Sequence, residues 1–138
     1  MAVQETLARP AEPVPEEQAQ DLAHELISSR RVEGTAVYSD SGERLGTIHS
    51  VMIGKKSGQV AYAVLSAGGW LGIGAHVHPL PWELLTYDVD RDGYVVAIGK
   101  DQLRGAPSMT LDETDRPIDR NYQEQVSSYW GTLPWWGL

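Results

Sequence analysis

The 138-residue sequence predicts a mainly β protein: a small barrel or sandwich of short strands, with a helix at each end. Three observations carry this. Turn signals recur at short spacing from Gly34 to Gly99. The apolar runs between them are strand-length. No helical period separates them, so a right-handed βαβ crossover has nothing to use.

In chain order, residues 1–15 are acidic, rich in proline and without periodicity, and are expected to be a disordered leader. Over residues 16–30, Ala19, Leu22, Ala23, Leu26 and Ile27 share one face of an amphipathic helix, with Pro15 at its entrance. Arg30 and Arg31 would complement the dipole at its end. A strand domain is expected over residues 31–108. "TAVYS" is its first strand, residues 40–43 a turn, and "RLGTIHSVMIG" a long second strand. A turn at residues 55–58 leads to "QVAYAVLSA", apolar enough to be buried on both faces. The segment "GGWLGIGAHVHPLPW", then "ELLTYDV", a "DRDG" turn and "YVVAIG" complete six strand segments.

"KDQLRGAPS" reads as one helical turn stopped by Gly105 and Pro107. Residues 109–138 are expected to hold a polar linker, a second helix and a tryptophan-rich tail. In that helix Tyr122, Val126, Tyr129 and Trp130 lie on one face, and Gly131 ends it.

Composition narrows the function classes. The net charge of −8 argues against nucleic acid and anionic membranes, which need clustered Lys and Arg, and suits either a basic protein partner or plain solubility. No cysteine, no secretory signal and no run long enough to span a bilayer point to a cytoplasmic protein without a transmembrane segment.

The segment at residues 68–82 offers two chemical readings. Gly72 and Gly74 begin a G-x-G pattern, but Val77 stands where the third glycine belongs, and Pro79 and Pro81 forbid the helix a phosphate loop must open. The glycines therefore fit a strand connection. The two prolines remove donors from the same side of one strand, which places it at a sheet edge or a barrel corner. His76 and His78 would face the same way and are weak candidates for a shared zinc or nickel ion. They lack an evident third ligand besides His49, and two histidines on a solvent face are the commoner arrangement.

Asp88, Asp90, Asp92 and Gly93 begin like a calcium loop. The twelfth position is Gly99 instead of a bidentate Glu, and strands flank it, so a hairpin is expected. No catalytic constellation stands out, and neither an enzyme activity nor a cofactor is predicted. Trp135 and Trp136 would be costly to expose, and dock on their own domain, on a second copy or another protein, or at a membrane interface, which the acidic charge and lack of nearby Lys or Arg disfavour.

Taken together, "SSRRVEGTAVYSDSGERLGTIHS", "GGWLGIG", "PLPW" and "QLRGAPS" resemble the PRC-barrel family, over about residues 26–131. The chain is most similar to the stand-alone bacterial members. The resemblance implies a small, strongly bent antiparallel β-barrel with short flanking helices. It also implies a non-catalytic assembly role, as for the barrels of the photosynthetic reaction-centre H subunit and the ribosome-maturation factor RimM. The resulting expectation is a protein-interaction module that forms a homo-oligomer, a dimer first of all. Trp70, Leu71, Ile73, Trp135 and Trp136 are its candidate contact residues. Alternatives are a metal- or small-ligand-binding regulator using His76 and His78, and an RNA- or ribosome-associated factor by fold analogy with RimM. The sequence does not reveal a biochemical activity.

Overall fold

A computed structural model describes residues 25–68, 76–116 and 118–137. It contains one seven-stranded sheet and a few short helices. The strands are β1 (Ala36–Ser39), β2 (Arg44–Ile53), β3 (Val60–Ala67), β4 (His76–Pro81), β5 (Leu85–Asp88), β6 (Gly93–Val96) and β7 (Met109–Thr110). Helix α1 is Ser29–Val32, α2 is Lys100–Arg104 and α3 is Arg120–Trp130.

The sheet order is β5-β6-β1-β2-β3-β4-β7. Two features correct the expected antiparallel barrel. The β1–β6 pair is parallel, and the hydrogen-bonded ladder of the described residues does not close. Connectivity explains both. The chain reverses at each step from β1 to β4, but at the 3-10 turn Trp82–Leu84 it bends without reversing. β5 therefore runs in the direction of β4, and its hairpin partner β6 runs in the direction of β1. Three residues must also join β4, near one end of the strand order, to β5 at the other, a reach of only about 10 Å. The sheet is strongly curled as a result.

The bend is built into β2. Its pairing with β3 shifts register between Ile48 and Ser50 and again between Met52 and Ile53, the signature of bulges that coil a strand. Gly46 lets the backbones approach: a Cβ there would stand 2.1 Å from the Ser66 carbonyl oxygen.

The long apolar run of β3 has its reason in packing. Ala61 through Leu65 are all buried. Ala63 and Leu65 join the main core with Val37, Leu45, Ile48, Leu80 and Leu103. Tyr62 and Val64 point the other way, where α3 and β7 cover the sheet through Val126 and Met109. Helix α3 ends as predicted at Gly131, which turns left-handed, and the Asp119 carboxylate caps its start by accepting from the Tyr122 amide at 2.8 Å. Its buried stripe is Val126 with Ser127, whereas Tyr129 is largely exposed and donates its hydroxyl to the Gln102 carbonyl.

Two local expectations are revised, and the expected β5–β6 hairpin is found with its own detail. The predicted N-terminal helix does not run through to Arg30: Leu26, Ile27 and Ser28 are non-helical, and a separate four-residue helix starts at Ser29. Leu26 is 87% exposed, so among the described residues that end of the apolar face is not packed. Residues 16–24 lie outside the described residues. The stretch expected to be a plain linker contains β7 and a 3-10 turn, Leu111–Asp115. In the β5–β6 hairpin the left-handed residue is Asp92, at φ 51°, and Gly93 already belongs to β6. Gly93 is needed for space, since a Cβ would meet the Ala36 carbonyl oxygen at 2.8 Å.

Candidate interaction surfaces

Of the predicted contact residues, Trp70, Leu71 and Ile73 lie outside the described residues. Trp135 and Trp136 fold back on their own chain in a final 3-10 turn, Trp135–Gly137. The Trp135 ring packs beside Gly54 and against the Ala61, Tyr62 and Val126 cluster, and its indole N–H donates to Gln123 Oε1 at 2.8 Å. The Trp136 ring meets Trp135 edge-on at 6.0 Å and lies 3.9 Å below the Arg120 guanidinium. Both rings are half-buried, so the tail docks in cis rather than standing free.

The histidines are not brought together as ligands. His76 is exposed, but His78 is buried at 3% exposure, which corrects the expectation of two solvent-facing imidazoles. Loop residues Ala106 and Pro107 close over it. His78 Nδ1–H donates to the Pro107 carbonyl at 3.1 Å, while Nε2 is buried without a hydrogen-bond partner. Burial pushes its pKa below the ordinary value, against the opposing pull of the bonds to Pro107 and Ala106. His49 sits apart on β2, exposed and within 3.1 Å of Ser50 Oγ. Among the described residues no group of three His, Asp or Glu side chains is placed to hold a metal ion.

The acidic loop is likewise committed to its hairpin. The Asp88 carboxylate accepts from the Asp90 and Arg91 amides and pairs with the Arg91 side chain at 3.5 Å. Asp92 accepts from the Tyr87 hydroxyl, a bond that raises the Tyr87 pKa. Other shifted groups include the phenols of Tyr62, Tyr94 and Tyr122, all raised chiefly by burial, Tyr122 to about 12. These phenols and the His78 imidazole are neutral near pH 7.

Sequence reasoning missed one surface groove. A groove of about 870 Å³ runs beside β5. Trp82, Leu85, Tyr87 and Tyr94 line it together with Leu26 and Val89, and Glu25, Arg31 and Asp92 add charged groups. The three rings are linked edge-on: Trp82 to Tyr94 at 5.4 Å and Tyr87 to Tyr94 at 5.1 Å. Trp82 packs on the main core and is also a wall of this groove. Leu26 and Val89 are 87% and 51% exposed. The one available signal was the alternation in "ELLTYDV", which puts Leu85, Tyr87 and Val89 on one side of a strand. Across β5 lies a second, shallower depression lined by Asp40, Thr86 and Asp88.

The family model for the PRC-barrel domain matches residues 24–103, more than half of the chain. The chain belongs to the PRC-barrel family. The match takes in β1 to β6 and α2, so the groove of this PRC-barrel protein lies within the family domain. β7, α3 and the tryptophan tail lie beyond it and cover the outer face of β3. A comparison with curated proteins finds no match. No helix among the described residues is long and apolar enough to cross a membrane.

Proposed function

We propose that this PRC-barrel protein is a non-enzymatic interaction module that docks another protein in the groove beside β5. The observation that carries the reading is a groove walled by the rings of Trp82, Tyr87 and Tyr94, with charged groups from Glu25, Arg31 and Asp92 beside them, at which Leu26 and Val89 are left exposed. Exposed apolar surface of this kind is costly unless something covers it, and aromatic side chains are favoured at the centres of protein contacts. The family membership supports an assembly role in general terms.

The test compares the full chain with the double variant Leu26→Glu, Val89→Glu as bait in host lysate, with crosslinks mapped by mass spectrometry. Both positions are exposed, so the melting temperature should stay within about 2 °C of the parent. Partners that crosslink to residues 82–94 should be captured by the parent and lost with the variant. Equal capture by both proteins would remove the groove from the function.

A further inference from the structure

We infer that the partner binds by strand addition on β5, as an extended segment in which apolar residues alternate with Lys or Arg. This rests on the interaction-module reading above and names its ligand. β5 is the first strand of the sheet order, with a neighbour, β6, on one side only among the described residues. Beyond that ladder and the bond from its Leu85 amide to Trp82, the backbone of β5 makes no hydrogen bond to another described residue. Such an edge offers a row of donors and acceptors to an incoming strand.

The two faces of β5 then specify the alternation. On one face Leu85 and Tyr87 open into the aromatic groove. On the other Thr86 and Asp88 border a depression whose only charged residues among those described are Asp40 and Asp88, set among Leu84, Val95 and Ala97. A strand paired to β5 sends successive side chains to opposite faces, so one set meets the rings and Leu85 in the groove and the other meets Asp40 and Asp88. Residues 83–92 hold four carboxylates and one guanidinium, and the guanidinium, Arg91, is engaged by Asp88 and lies over the Tyr38 ring. A second copy paired here would bring both acidic segments together, which disfavours self-pairing and favours a cationic strand.

The probe is a synthetic octapeptide of alternating Lys and Val. Its controls are a block peptide of the same composition, with four Lys followed by four Val, and an alternating Glu-Val octapeptide. Binding to the full chain is read by amide NMR shifts and by titration at low and high salt. The alternating basic peptide should shift the amides of residues 84–89. Its Kd should rise at least tenfold between 50 and 500 mM salt, roughly as expected for partly exposed charge pairs. The block and acidic peptides should bind at least tenfold more weakly. Asp40→Lys and Thr86→Lys, both exposed positions, should each weaken the basic peptide at least tenfold while leaving the chain folded.

Equal binding of the block peptide, shifts confined to α3 or β7, or indifference to both Lys variants would overturn strand addition. So would concentration-dependent shifts at residues 84–89 without peptide, which would assign the edge to a second copy. If the peptide fails while lysate partners are still captured through the groove, strand addition falls and the interaction module stands. If both fail, so does the module.

Discussion

Replacing Trp135 by Ala tests whether the C-terminal tail belongs to the fold. The ring is half-buried against Gly54, Ala61, Tyr62 and Val126, and its N–H is bonded to Gln123. A fully buried Trp→Ala change costs about 3–5 kcal/mol, so half-burial implies about 2 kcal/mol. Loss of the bond adds about 0.5–1 kcal/mol, because the freed Gln123 amide can turn to water. The expected loss is roughly 2–3 kcal/mol, or about 5–10 °C in Tm for a chain of this size. Trp136→Ala removes an edge contact and a guanidinium stacked at the surface, and should cost only about 0.5–1 kcal/mol. Urea unfolding followed by circular dichroism measures both. A Trp135→Ala variant within about 0.5 kcal/mol of the parent, or two variants of equal effect, would refute cis docking. Both rings would then be free for a partner.

Two further outcomes follow from other parts of the sheet. The buried His78 has its pKa pushed below the ordinary 6.5, so the unfolded chain binds the proton more readily than the folded one. Its contribution to stability is full above 6.5 and is lost as pH falls from there through the depressed pKa of the folded state. Urea midpoints at pH 8 and pH 5 should therefore differ by more in the parent than in His78→Leu, and equal pH slopes would contradict the buried imidazole. Gly46→Ala sets a methyl against the Ser66 carbonyl oxygen and should cost at least about 3 kcal/mol, or abolish the cooperative transition. A loss below about 1 kcal/mol would show that β2 and β3 do not approach so closely.

Sequence patterning by itself determined most of the elements. Helix α3 was legible from Gly131 and the Val126 stripe because caps and helical period are local. The buried run of β3 was legible because both its faces need apolar side chains, whatever covers them. The proline rule for β4 was legible because a missing N–H cannot pair: β7 joins β4 only at His76 and Val77 and stops before Pro79.

The decisive matters were non-local. Nothing near Trp82 in the sequence says that the turn there bends without reversing, yet that bend makes β1 and β6 parallel and leaves β5 at an edge. Whether His78 faces solvent depended on Pro107, 29 positions away. Whether Trp135 is a free contact or part of the core depended on Gly54 and Gln123. The groove is assembled from the residues before α1, the β4–β5 corner and the β5–β6 hairpin, three segments that meet only when the sheet curls. Local propensity decides where strands and helices lie, whereas a surface made by distant segments exists only once tertiary packing has joined them.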